Sequence, residues 1–484
     1  MTALLGTALV GYVLFSLALG VWVSRRVESA EDYLVAGRRL PLALSTATLL
    51  ATWFGAGPML TAADAVYRGG LARAALEPLG SGFCLILAGF VIARPLWSMR
   101  LLTVSDFFGR RFGRRAELLS AVLTLPTFFG WIAVQFVALA EILALFFGIP
   151  TGLGIALVAG VGVGYTLLGG MWSVALTDAL QLVILLIGLV VLGVSALLHL
   201  GSGDALAAVD RLASELPAGF LEPIPSDTLE RFAAWLGVFV IAALGNLSGQ
   251  DLLQRIFAAR SAEVAQRACW LAGGAYLVFG SIPVILGLCA RVVWPEGQMS
   301  SVVPALGGAL LSPAVTVTFV LALASAVLST IDSAILAPAS VLAQNLLRGP
   351  LEGRMTALAR NRLAVVIVTA ISLAVAYAGK DAYSLLEGAY AIGLVALFVP
   401  LLGGLYRRPR GEAPAIAAMI AGTALWGVHV ALGAESLLGD GHGGPKVPIE
   451  IAAVIVGALA FVVAEARSRA PAGPRAGDGP PSAP

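Results

Sequence analysis

Charge is scarce in this sequence. Asp, Glu, Lys and Arg make up 12% of 484 residues, and lysine occurs only at Lys380 and Lys446. Neither lysine sits in a G-x-x-x-x-G-K-[ST] phosphate cradle, which argues against an ATP-driven pump within the chain. Histidine is limited to His199, His429 and His442. They are isolated, so neither a metal cluster nor a Ser-His-Asp arrangement can be drawn, and no enzyme chemistry emerges. The cysteines, Cys84, Cys269 and Cys289, lie in apolar runs without paired spacing, so they read as small core residues and not a disulfide framework. A net charge of +2 leaves no basic patch for nucleic acid.

What is abundant is apolar. Hydrophobic residues reach 59% and the mean hydropathy is +0.93, so lipid is the solvent for most of the chain. Apolar runs long enough to cross a hydrocarbon core of about 30 Å predict thirteen spans. They cover residues 3–24, 41–65, 73–97, 118–147, 150–170, 173–199, 230–257, 268–293, 314–336, 360–378, 383–404, 413–433 and 449–467. The segment from Met1 to Val23 is followed, not preceded, by Arg25 and Arg26, the reverse of a signal peptide, and reads as a retained first helix. With the N-terminus outside, more than two thirds of the 30 Lys and Arg fall in inner loops. Only Arg68, Arg73, Arg211, Arg231, Arg291, Lys380 and Lys446 remain outside, so the C-terminus is expected in the cytoplasm of a multi-pass inner-membrane protein. Residues 1–469 form the transmembrane domain in this reading. The Pro- and Gly-rich stretch 470–484 reads as a disordered cytoplasmic tail with no appended domain. The outer loop from Gly201 to Glu230 suits a plain connector or a lid. The composition calls for a lipid bilayer and makes no obligatory protein partner evident.

An ionisable group within a span costs about 2.5 to 3.5 kcal/mol even on the lenient insertion scale, so each asks for a partner or a task. Asp178 opens the sixth span, where a carboxylate would also suit a helix N-terminus. Asp332 lies in the ninth, in Ala326-Val-Leu-Ser329-Thr330-Ile-Asp332-Ser333. Ser329 and Thr330 follow Ala326 by three and four residues, which brings two hydroxyls to that residue's carbonyl. Asp332 and Ser333 repeat the spacing one turn on. Oxygen clusters of this kind suit Na⁺, and equally suit close packing of small residues against a neighbouring helix. In the second span, Trp53-Phe54-Gly55-Ala56-Gly57-Pro58-Met59 predicts unwound backbone lining a cavity, with a simple proline kink as the other reading. Gly245-Asn246-Leu-Ser248-Gly249-Gln250-Asp251 interrupts the seventh span in the same way. Broken helices expose carbonyls for a cation and N–H groups for a substrate anion, and two of them, each opening a five-span unit, match an inverted-repeat transporter. Glu141 and Glu387 read as interfacial, and Asp64, Arg68 and Arg73 as an outer gate or a solvated rim.

Four stretches together resemble the solute:sodium symporter family. They are Glu31-Asp-Tyr-Leu-Val-Ala-Gly37-Arg38, Tyr165-Thr with Gly169-Gly170 and Thr177-Asp178, Gln254-Arg255, and Ser329-Thr330 with Ser333. The resemblance implies an all-α LeuT-type fold of two inverted five-helix repeats, about 41–199 and 230–404, working by alternating access as a Na⁺-coupled symporter of a small organic solute. It implies a principal Na⁺ site on the carbonyls of Ala51, Phe54 and Ala326 and the hydroxyls of Ser329 and Thr330. A second Na⁺ or H⁺ site is implied at Asp178, Ser329, Asp332 and Ser333, where Asp332 departs from the family's hydroxyl. The proline carriers' aspartate is Trp53 here and the sugar carriers' Asn and Gln are missing, so neither substrate is favoured. Trp53, Gly55, Gly57, Met59 and Gln250 are the expected solute-binding residues, around a partly apolar cavity. Proton coupling, a channel and a transporter-like sensor are the rival readings.

Overall fold

In the computed structural model the described residues are 2–24, 29–295, 301–379, 382–407, 409–433 and 448–469. The expected tail 470–484, His442 and both lysines lie outside them. Among the described residues the regular structure is helical, with one isolated backbone bridge between Leu40 and Ala259. Ten helices are long and apolar enough to cross a membrane, from Leu71–Val91 to Ile449–Ser468. Leu42–Trp53 and Thr151–Gly164 are shorter apolar helices, and Thr2–Ser24 precedes them all. Large apolar side chains face outward around the bundle, for instance Phe90, Ile187 and Leu459, each at least 60% exposed. In water such a belt would be costly; in a bilayer it is the solvated surface.

Both Gly-rich interruptions break their helices. Leu42–Trp53 ends where Phe54 turns to φ −86°, ψ 47°, and helical structure resumes as a wide π-type turn over Gly57–Thr61 and then Ala62–Gly69. Pro58 stands in the first turn of the second half, where its missing N–H leaves no bond unmade. The seventh segment runs Leu229–Gly245, tightens over Asn246–Ser248, extends at Gly249 (φ −63°, ψ 127°) and restarts as Gln250–Ala258. The ninth, Pro313–Val341, is continuous and deeply buried. The loop after Leu200 carries the helix Ala205–Glu215, and beyond it the Phe220 carbonyl accepts the Leu71 N–H at 2.7 Å, docking the loop on the link between the second and third segments.

The loop motif around Arg38 ties the ends of these elements together. Arg38, 7% exposed, donates through Nε to Glu31 at 2.6 Å and through Nη2 to the Leu101 carbonyl at 2.8 Å. Gln254 donates to the Leu34 carbonyl at 2.7 Å, and the Tyr33 hydroxyl to the Thr166 carbonyl at 2.8 Å. Thr166 lies just before Gly170, whose φ of +61° separates the fifth and sixth spans. A Cβ at Gly170 would come within 2.9 Å of the Tyr33 ring and 3.1 Å of its carbonyl. Gly170→Ala is therefore expected to cost about 1–2 kcal/mol in backbone strain alone, read as a lower melting temperature of the solubilised protein. Melting at the wild-type temperature would contradict this account of the junction.

Candidate cation and solute site

Unwinding at Phe54 frees the last carbonyls of the preceding helix, and the ninth helix supplies hydroxyls to them. Thr330 Oγ1 lies 3.3 Å from the Ala51 carbonyl and 3.1 Å from that of Ala326. Gly55 allows this approach, because a Cβ there would fall 2.7 Å from Thr330 Oγ1 and 2.8 Å from Gln135 Oε1. The Gln135 carboxamide oxygen accepts the Ala56 N–H at 2.9 Å. One of the N–H groups expected to greet a substrate anion is thus already taken.

A second cluster forms around Asp178, which is fully buried. Thr48 donates to its Oδ2 at 2.6 Å and Ser329 donates to its Oδ1. Ser333 Oγ accepts Arg255 Nη2 at 2.5 Å, and Thr52 Oγ1 is 3.3 Å away. Arg255 further reaches the Thr48 carbonyl at 3.4 Å and the main-chain carbonyl of Asp251 at 3.0 Å. A buried guanidinium therefore borders the oxygens expected for a second cation. Asp332 turns aside from them: its Oδ1 is buried without a hydrogen-bond donor.

Beside the breaks lies a cavity of about 480 Å³, counting the open space at its mouth. Trp53, Phe128, Trp131, Tyr276 and Tyr390 supply aromatic wall, and Asn246, Ser248 and Asp251 the polar part. Trp53 Nε1 donates to Asp251 Oδ2 at 2.6 Å, joining the two broken helices. Behind the wall sits Glu77, 3% exposed, which accepts hydroxyls from Tyr276 at 2.5 Å and from Ser81 and Tyr390 at 2.9 Å.

The expected residues divide accordingly. Thr330 meets the carbonyls of Ala51 and Ala326 at the break, with Phe54 as the residue that leaves the helix, while the neighbouring Ser329 hydroxyl donates to Asp178. Trp53 lines the cavity. Gly55 and Gly57 lie at the break beside it: Gly55 faces Thr330, and a Cβ on Gly57 would meet Leu386 at 3.2 Å and Glu77 at 3.6 Å. Met59 is wholly buried and does not line the cavity. Gln250 lies apart from the cavity lining: its Oε1 accepts the Val104 N–H at 2.6 Å, and its Nε2 contacts the Leu102 carbonyl and Ser340 Oγ, each at 3.1 Å, so the side chain pins the 101–104 loop and its neighbour Asp251 faces the cavity. Glu77, Tyr276, Tyr390, Thr48 and Gln135 escaped the sequence reading. Glu77 alone carried a signal, the same one as Asp178: a carboxylate inside an apolar run. Of the outer candidates, Asp64 Oδ1 accepts the Val302 N–H at 2.9 Å and Glu141 accepts Ser301 at 2.9 Å. Among the described residues no group of three metal-ligating side chains occurs.

Two broken helices meeting a buried hydroxyl-bearing helix, inside an all-helical membrane bundle, define a secondary transporter. The model of the sodium:solute symporter family matches residues 33–422, and the chain belongs to that family. It is 27% identical over 443 residues to the high affinity choline transporter 1 of Homo sapiens, covering 86% of this chain and 75% of that one. With the high-affinity proline transporter PutP of Bacillus subtilis (strain 168) it shares 25% over 430 residues, 84% and 88% of the two chains. The solved structure of a substrate-bound, outward-open Na⁺-coupled sialic acid symporter superposes with a TM-score of 0.75 at 17% identity, over 96% of each chain. The fold is thus of the LeuT type, and the protein is a multi-pass membrane symporter that couples Na⁺ to a small organic solute.

Proposed function

We propose that Na⁺ binds between the second and ninth helices, on the carbonyls of Ala51, Phe54 and Ala326 and the hydroxyls of Ser329 and Thr330, and that this ion drives alternating access. The observation that carries the reading is Thr330 Oγ1 within 3.3 Å of carbonyls from both helices. Neutral oxygens around an unwound backbone suit a monovalent alkali ion. The ion bridges two segments that otherwise share only weak hydrogen bonds, and so favours the arrangement in which they touch. It also fixes Trp53, two residues from Ala51, and through its indole N–H the carboxylate of Asp251. Na⁺ binding and solute affinity are coupled along that path, and the coupling is reciprocal. The repeats 41–199 and 230–404 rock against each other, in a thirteen-span chain of the inner membrane with the N-terminus outside and the C-terminus in the cytoplasm.

One Na⁺ per cycle fits the inner cluster best, because Arg255 already supplies a cation to Ser333 beside Asp178. A charge crossing about 100 mV yields roughly 2.3 kcal/mol, and a tenfold Na⁺ gradient about 1.4 kcal/mol more. Together these concentrate a neutral solute several hundredfold. Proton coupling through Asp178 or Asp332 is the second reading, favoured by the unpartnered Asp332 Oδ1. It predicts uptake that follows pH and ignores Na⁺.

The test is the double variant Ser329→Ala with Thr330→Ala in right-side-out vesicles. Loss of two of five ligands is expected to raise the Na⁺ concentration for half-maximal uptake about tenfold or more, with normal insertion. An unchanged Na⁺ dependence would remove the site. The relatives are named for solutes as different as choline and proline, so their names do not select the solute.

A further inference from the structure

The cavity beside the breaks holds an unbalanced charge. Asp251 is 6% exposed and lines the cavity, at the second position of the helix Gln250–Ala258. Its carboxylate accepts the Trp53 indole N–H at 2.6 Å, a neutral donor. Arg255, one turn on, gives its Nη1 to the Asp251 main-chain carbonyl at 3.0 Å, while its Nη2 goes to Ser333, and among the described residues no cationic group forms an ion pair with the Asp251 carboxylate. Asp178 and Asp251 both act on the guanidinium of Arg255, one cation for two buried carboxylates. Carboxylates at this depth are retained where they meet a cation.

The rest of the wall suits an organic cation. The Trp53 and Tyr276 rings meet edge to face with centroids 6.4 Å apart. Tyr276 and Tyr390 both direct their hydroxyls to Glu77, at 2.5 and 2.9 Å, so Glu77 anchors two rings at the wall and their hydroxyl protons are engaged away from the solute. Trp131 adds a further indole from the fourth segment. Aromatic rings about a desolvated positive charge attract it through their quadrupoles. A carboxylate-bearing zwitterion would bring an anion for which no lining residue offers a cation, while a neutral polyol would leave Asp251 unpaired.

Resting on the Na⁺-symport reading above, we propose that the transported solute is a small organic ammonium ion, held by Asp251 among the rings of Trp53, Trp131, Tyr276 and Tyr390. Asp251 supplies the charge and the rings supply the fit.

The test is binding to the purified full-length protein in detergent, by thermal shift and isothermal titration, with Na⁺ alone and then with Na⁺ plus a probe. The probes are choline, dimethylaminoethanol and ethanolamine, each a small ammonium at neutral pH, and 3,3-dimethylbutan-1-ol, the uncharged carbon analogue of choline. At least one ammonium is expected to bind with Na⁺ present, and the uncharged analogue at least about thirtyfold more weakly than choline. In Asp251→Asn the ammonium affinity should fall about thirtyfold, and in Trp131→Leu, which keeps apolar volume without the ring face, about tenfold. Equal binding of choline and its uncharged analogue, no ammonium binding at millimolar concentration, or unchanged affinity in a folded Asp251→Asn protein would each overturn the proposal. A wild-type protein stabilised by Na⁺ alone but by no ammonium fails this inference only; one that Na⁺ does not stabilise fails the symport reading beneath it.

Discussion

Gly55→Ala is expected to lower Na⁺-driven uptake about a hundredfold or more while the protein still inserts, a loss of roughly 2.7 kcal/mol or more. Three atoms lie within 3.0 Å of where the new methyl would sit: Thr330 Oγ1 at 2.7 Å, and Gln135 Oε1 and Thr330 Cγ2 at 2.8 Å. Both side chains are at or near zero exposure, so neither has free space to retreat into. Displacing Thr330 removes a proposed ligand, and displacing Gln135 releases the Ala56 N–H that it holds at 2.9 Å. Leaving a buried N–H unbonded costs about 1–3 kcal/mol by itself. Uptake into proteoliposomes under an imposed Na⁺ gradient, normalised to inserted protein, measures the effect. Uptake within threefold of wild type would show that the second and ninth helices need not approach as closely as described. Gly57→Ala is the milder comparison, since its methyl would meet the flexible Leu386 at 3.2 Å.

The second large effect is expected at Arg255, which is 1% exposed and reaches Thr48, Asp251 and Ser333 at once. Arg255→Leu keeps much of the volume and strands the buried carboxylate of Asp178 without its cationic neighbour. Removing one member of such a set typically costs about 3–5 kcal/mol, enough to abolish most folded protein. Lysine offers a point charge without the planar fork, so Arg255→Lys should restore only part of the stability. Adding Asp178→Asn to Arg255→Leu should recover part as well, because it removes the stranded charge. The melting temperature after solubilisation and the folded yield decide the matter. An Arg255→Leu protein as stable as wild type would mean that Asp178 is already neutral, which would favour the proton-coupled reading.

These two residues also mark how far the sequence could be read. Gly55 was recognisable, because two glycines and a proline within four positions of a lipid-buried helix leave few options for the backbone, and the helix does end at Trp53. The hydroxyls at Ser329 and Thr330 were recognisable by helical arithmetic from Ala326, a relation local to one turn. Arg255 stood only as half of a Gln-Arg motif, with no sign that its guanidinium lies beside Ser333, 78 positions on. Gln250 and Asp251 are adjacent in sequence, and the residue expected at the solute is Gln250; successive residues on a helix point about 100° apart, and it is Asp251 that lines the cavity. Glu77 and Tyr390, joined across 313 positions, had no shared pattern at all.

Composition and hydropathy by themselves determined that the chain lives in lipid, where its spans lie and which two of them break, because those outcomes follow from local backbone chemistry and the energy of transfer into hydrocarbon. Tertiary structure alone decided which carbonyl meets Thr330, which cation sits beside Asp178 and which carboxylate looks into the cavity. Thr330 and Ala51 are 279 positions apart and Asp251 and Trp53 198, and helix packing sets such distances where no periodicity records them.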